Sequence, residues 1–118
     1  MISAEKKLYI TNLFSFKMLP DTFSGTVECD PLSRVDACDL VASQPWESFV
    51  AHKVIATLYG SVLGINLDNR KKTFIFTKDC QILLGVYRGM FLTTHNVGMP
   101  PNGTISWKLL SIYRDPIE

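Results

Sequence analysis

Two side chains in this chain have the chemistry to deliver a proton and to hold a phosphate: His52 and Arg88. Imidazole is the one side chain that gives up or takes a proton near neutral pH without a large shift. Guanidinium is planar and matches two phosphate oxygens at once, which an ammonium does not. The chain has only two histidines, and the other, His95, lies in the Gly/Pro-rich stretch 93–103, which reads as an exposed loop. His52 stands in the apolar, helix-like run 49–60, and Arg88 closes the apolar run 81–87. An acid at a helix mouth and a clamp at a strand end suit work on a phosphodiester.

Whether the pair does such work depends on the elements that carry it. A helix is expected within 46–59, with Gly60 as its C-terminal stop. If it opens near His52, the imidazole stands beside free backbone N–H groups, where anions bind readily. If it opens near Ser48, His52 is only a second-turn residue. Residues 7–12 are apolar on both faces and predict a central strand that runs out into Asn12-Leu13-Phe14-Ser15 and a turn at Pro20-Asp21. A short strand is expected over 25–29. Asp30-Pro31 predicts a helix start, with Leu32, Val35, Cys38 and Val41 inward, Arg34, Asp36 and Asp39 toward water, and an end near Ser43 before Pro45. Residues 72–77 and 80–87 predict a hairpin across Lys78-Asp79, its second strand central. A last strand over 104–113 places Ile105, Trp107 and Leu109 on one face and Leu110 and Ile112 on the other. The expected order is β, β, α, α, β, β, β. That is a single α/β (α+β) domain over 1–118, a mixed sheet of about five strands flanked by helices.

Composition narrows the function. A chain of 118 residues is one domain, and 47% apolar with 19% charged residues is globular rather than disordered. A net charge of +1 argues against a nucleic-acid coat, whose affinity rests on a basic excess. The apolar excess is compatible with a homo-oligomer. Cys29, Cys38 and Cys80 show no metal-ligand spacing and read as buried thiols of a reducing compartment, so no metal is expected. The N-terminal residues lack the apolar core of a signal peptide, and no run approaches the roughly 20 apolar residues of a membrane span. A soluble, cytoplasmic protein is expected.

Several local strings, in their order, resemble those of the viral ring nuclease (type III anti-CRISPR) family over roughly 8–113. A first strand runs into an Asn-x-Phe-Ser pattern at Asn12-Leu13-Phe14-Ser15, followed by Met18-Leu19. An Ala-His step, Ala51-His52, precedes a helix with a Leu-x-Gly ending at Leu58-Tyr59-Gly60. Asn69-Arg70 leads toward a hairpin, and a strand ends at Arg88 shortly before Leu92-Thr93.

The resemblance implies a homodimer that binds cyclic tetra-adenylate, the second messenger of type III CRISPR defence, across its two-fold axis and cleaves it with no metal or cofactor. Each ribose 2′-OH attacks its adjacent phosphorus, and His52 protonates the departing 5′-oxygen as general acid. Arg88 holds the scissile phosphate, while Asn12, Ser15 and Arg70, with Asn69 in the same motif, contact the ligand. A proton delivered in the transition state contributes on the order of 10²–10⁴-fold, and preorganised donors aimed at developing charge usually more. One position departs from the family: a glutamate is expected three residues after the arginine, and Phe91 stands there. A cyclic-nucleotide sponge that binds without turnover is therefore a second reading. A DNA-binding regulatory dimer using Arg70, Lys71 and Lys72 is a third, disfavoured by the low charge. Each residue also has a plainer role: His52 on a helix face, Arg88 as a surface cation, 69–72 as a solvated turn, Asn12 and Ser15 satisfying backbone groups. Trp46 and Trp107 are expected in the core or a dimer contact.

Overall fold

The computed structural model describes residues 7–70, 75–76, 79–89 and 103–115. Among them are strands β1 (Lys7–Thr11) and β2 (Gly25–Leu32), helix α1 (Arg34–Ser43), strand β3 (Trp46–Ser48), helix α2 (Lys53–Leu63), and strands β4 (Cys80–Arg88) and β5 (Thr104–Arg114). The strands form one mixed sheet in the order β2-β5-β4-β1-β3. β1 runs parallel to β3 and β4, while β5 is antiparallel to β4 and β2. This is the five-stranded α+β sheet expected from the sequence. β4 is central because Ile82 and Leu83, fully buried, need cover on both faces at once.

Strand alternation divides the core. Leu8, Ile10, Leu83 and Trp107 pack with Ala37, Val41, Ala56, Tyr59 and Leu63 of the helices. Their neighbours Ile82, Leu110 and Ile112 face the other way, onto Leu19 and Phe76, with Phe14, Met18 and Phe23 alongside. That second face is therefore roofed by the β1–β2 connection, which contains a 3₁₀ turn over Phe16–Met18.

Several elements differ from the expectation. β2 continues through Asp30 and Pro31 to Leu32, opposite Trp107, and α1 starts after Ser33, whose Oγ accepts from the Asp36 N–H at 3.1 Å. Pro31 belongs to an edge strand, where a missing N–H is tolerated, and serine supplies the cap that Asp30 was expected to give. The inward stripe of α1 is centred on Ala37 and Val41. Val35, two residues and about 200° from Ala37, is 60% exposed rather than inward.

Trp46–Ser48 is not helix but a third parallel strand, Leu8 opposite Trp46 and Ile10 opposite Ser48. Pairing with β1 outweighs the local pattern there. α2 therefore opens at His52, and it ends at Gly64 (φ 74°), whose N–H donates to the Gly60 carbonyl. Gly60 lies inside the helix, packed against Ile65 and Leu67.

The expected 72–87 hairpin does not form, because both edges of β4 are taken, one by β1 and one by β5. Of its first arm only Ile75 and Phe76 fall within the described residues, and the Phe76 N–H donates to the Met18 carbonyl at 2.7 Å. The thiols also differ: Cys80 is buried and Cys38 half-buried, but Cys29 is exposed on the edge strand. Trp107 is a core residue, and Trp46 packs half-buried against the same core.

At Gly85 a Cβ would lie 2.6 Å from the Tyr59 ring and 2.8 Å from that of Trp107. Gly85→Ala should therefore destabilise the fold by about 1–3 kcal/mol through overpacking, seen as a lower urea midpoint with unchanged slope.

Candidate functional site

Because β1, β3 and β4 are parallel, their carboxyl ends lie along one edge of the sheet, the edge where open sheets of parallel strands hold ligands. Asn12 follows β1, the segment 49–52 follows β3, and Arg88 ends β4. Outside β3, Asn69 bridges Val50 in parallel register, and the Arg70 N–H donates to the Val50 carbonyl at 2.8 Å. Five of the six residues singled out by sequence thus reach a common edge. The sixth, Ser15, lies in the roofing connection, where its Oγ caps the 3₁₀ turn by accepting from the Lys17 N–H at 3.2 Å.

His52 is the N-cap of the eleven-residue α2, exposed, with extended backbone and no side-chain capping bond. Its carbonyl accepts from the Ala56 N–H at 2.9 Å, so the backbone opens the helix while the imidazole stays outside it. The three residues before it are held from both sides. The Phe49 N–H donates to the Ile10 carbonyl (2.7 Å), and the Thr11 hydroxyl lies 3.4 Å from the Phe49 carbonyl. The Val50 N–H reaches Ser48 Oγ at 3.4 Å, and the Ala51 N–H donates to Asn12 Oδ1 at 3.3 Å. The approach to His52 is fixed by β1 on one side and 68–70 on the other.

Two residues of this frame were not anticipated. Thr11 and Ser48 are 2% and 3% exposed. Thr11 Oγ1 donates to the Leu13 carbonyl (3.0 Å) and accepts from the Leu13 N–H, while Ser48 Oγ donates to the Asp68 carbonyl. A buried hydroxyl must find a partner, and at a strand end the nearest partners are turn backbone groups. Their signal in sequence is a hydroxyl residue closing an otherwise apolar strand.

The charged members are placed differently from one another. Arg70 lies 3.7 Å from Glu47 and stacks over the Phe49 ring at 5.4 Å, so its guanidinium is engaged within the protein. Glu47 also pairs with Lys7, a hydrogen bond that raises the Lys7 pKa. Arg88 is exposed. Tyr87 before it packs on the helix-side core, so alternation turns Arg88 to the opposite face, beside Thr104 of β5. β1 lies between β3 and β4 and stops level with Leu84, four residues short of Arg88. Within one chain the strands leading to the imidazole and to the guanidinium thus flank β1 and leave the sheet at the same edge.

Among the described residues no three His, Cys, Asp or Glu side chains gather to hold a metal ion, and no helix is long and apolar enough to cross a membrane. Phe91, Leu92, Thr93, His95, Lys71, Lys72 and the loop around 93–102 lie outside the described residues.

No family model and no curated protein matches the chain. Among solved structures, the chain is similar to B116 of Sulfolobus turreted icosahedral virus, with a TM-score of 0.70 over 88% of this chain and 97% of that one, at 17% identity. At such identity the likeness is one of fold: this chain has the same architecture as a small viral protein of nearly matching extent.

Proposed function

We propose that the protein binds cyclic tetra-adenylate in a pocket shared by two copies of the chain and opens the ring without a metal. The observation that supports this best is an exposed imidazole, free of any capping role, held at a helix mouth on the carboxyl edge where Arg88 also ends. In each cleavage a ribose 2′-oxygen attacks its adjacent phosphorus as the 2′-hydroxyl proton passes to solvent water. The bond from phosphorus to the 5′-oxygen breaks, and His52 gives its proton to that oxygen. A 2′,3′-cyclic phosphate and a free 5′-hydroxyl result, and two such cuts give two di-adenylates. Arg88 binds the non-bridging oxygens as their charge grows. The strands leading to the two side chains flank β1 within a protomer, and in this reading a two-fold arrangement supplies the enclosure that a ring of this size requires. Acting in the cytoplasm, such an activity removes the messenger of type III CRISPR defence.

A sponge that binds without turnover is the second reading, favoured by Phe91 standing where the ring nucleases carry a glutamate. Duplex binding is the weaker alternative, since Arg70 is already paired with Glu47. Incubation with labelled cyclic tetra-adenylate in EDTA separates the readings. Linear di-adenylates ending in cyclic phosphate are the expected products. Intact ring co-eluting with the protein would replace the enzyme by the sponge, and an unbound, intact ring would end both.

A further inference from the structure

We infer that Asn12 is a positioning residue for His52, acting through the Ala51 backbone rather than by direct contact with the ligand. This rests on the proposal that His52 is the general acid. The Ala51 N–H can only donate, so the amide atom that meets it at 3.3 Å is the Asn12 oxygen. Ala51 immediately precedes the N-cap, and its N–H is bonded by a side chain from a different strand exit, 39 positions earlier in the chain.

The neighbouring backbone groups show why that bond matters. Phe49 is tied by the Ile10 carbonyl, and Val50 by Arg70 and Ser48. Those three ties lie within or beside the sheet, where pairing maintains them. Ala51 is the first residue beyond that support and the last before His52, and Asn12 closes the gap. Without it, Ala51 and the extended His52 (φ −110°, ψ 130°) would be free to turn between the bridge at Val50 and the first turn of α2. The imidazole, which has no capping bond of its own to hold it, would lose its aim.

Asn12→Asp and Asn12→Ala separate this role from direct ligand contact. Aspartate keeps an oxygen for the Ala51 N–H but has no N–H₂ to offer a phosphate and adds a repelling charge. Amide exchange of the ligand-free protein is the first readout. In Asn12→Ala the Ala51 amide should exchange about tenfold faster, with Asn12→Asp close to wild type. Unchanged Ala51 exchange in Asn12→Ala would overturn the inference. Ring opening is the second readout. Asn12→Ala should lower kcat by about ten- to a hundredfold with KM nearly constant, as for a misaimed group, and Asn12→Asp should recover most of it. A raised KM in both variants, worse in aspartate, would instead make Asn12 a ligand contact and overturn the inference. If the wild type opens no ring, the functional proposal fails, and the exchange measurement alone decides whether Asn12 fixes the backbone before His52.

Discussion

Replacing His52 by asparagine should move activity and stability in opposite directions. Ring opening should fall by about 10²–10⁴-fold, the usual contribution of a positioned general acid, because an amide cannot give a proton to the departing 5′-oxygen. Stability should rise. His52 occupies the N-cap of α2 with no side-chain hydrogen bond, although asparagine is among the best residues there and histidine is not among them. A side-chain oxygen accepting from the second or third N–H of the helix should add about 1 kcal/mol, a thermal midpoint a few degrees higher. His52→Ala should show the activity loss without the gain, and both variants should still bind the ring, since Arg88 is untouched. Initial rates and urea unfolding of the three proteins measure both effects. An asparagine variant with wild-type rate would remove His52 from the chemistry. One that is less stable than wild type would mean that the imidazole already supports the helix. A suboptimal cap at a helix mouth is the kind of local concession that functional sites make.

The helix behind His52 was legible because its apolar pattern can be read locally. The apolar positions Val54, Ile55, Leu58 and Tyr59 recur at helical spacing, so a helix within 46–59 was expected; it runs on past Gly60 to Leu63, and its first residue was left open. That residue was settled by tertiary structure: Trp46-Glu47-Ser48 pairs with β1, a partner about forty positions away that no local pattern announces. β1, β4 and β5 were read correctly because long apolar runs bounded by turn residues have few other solutions. The hairpin at 72–87 was misread for the complementary reason. Alternation shows that a segment can be a strand but not which neighbour it takes, and β4 had already filled both its edges. Asn12 and Arg70 were expected as ligand contacts only through the family resemblance. The structure gives Asn12 a partner in Ala51 and Arg70 a partner in Glu47, both across elements distant in sequence. Thr11 and Ser48 were overlooked because a buried hydroxyl looks the same in sequence as an exposed one.

The largest stability effect should come from Tyr59, which joins α2 to the centre of the sheet. Its side chain is 1% exposed, its hydroxyl donates to the Gly85 carbonyl at 2.6 Å, and its ring meets Trp107 edge-on at 5.1 Å. Tyr59→Ala should cost about 3–5 kcal/mol, a large share of the 5–15 kcal/mol that holds a typical domain. Tyr59→Phe isolates the hydroxyl and should cost about 1–3 kcal/mol near neutral pH, leaving a buried carbonyl short of a donor. The phenol carries a second, pH-dependent signature. Burial pushes its pKa up from 10.0 to about 12, against an opposing hydrogen bond from the Tyr87 backbone. Below pH 10 both the folded and the unfolded chain keep the proton, and the tyrosine contributes in full. Between pH 10 and about 12 the unfolded chain releases it and the folded chain does not, so unfolding becomes easier as pH rises. At about 1.4 kcal/mol per pH unit, the loss over that window approaches 2–3 kcal/mol. Tyr59→Phe lacks this group, so its stability should decline less steeply above pH 10. A residual slope should remain from Tyr9, whose pKa burial also raises. Urea unfolding at pH 8, 10 and 11.5 measures the difference, and parallel curves for the two proteins would show that the hydroxyl is less isolated from water than its place between α2 and β4 requires.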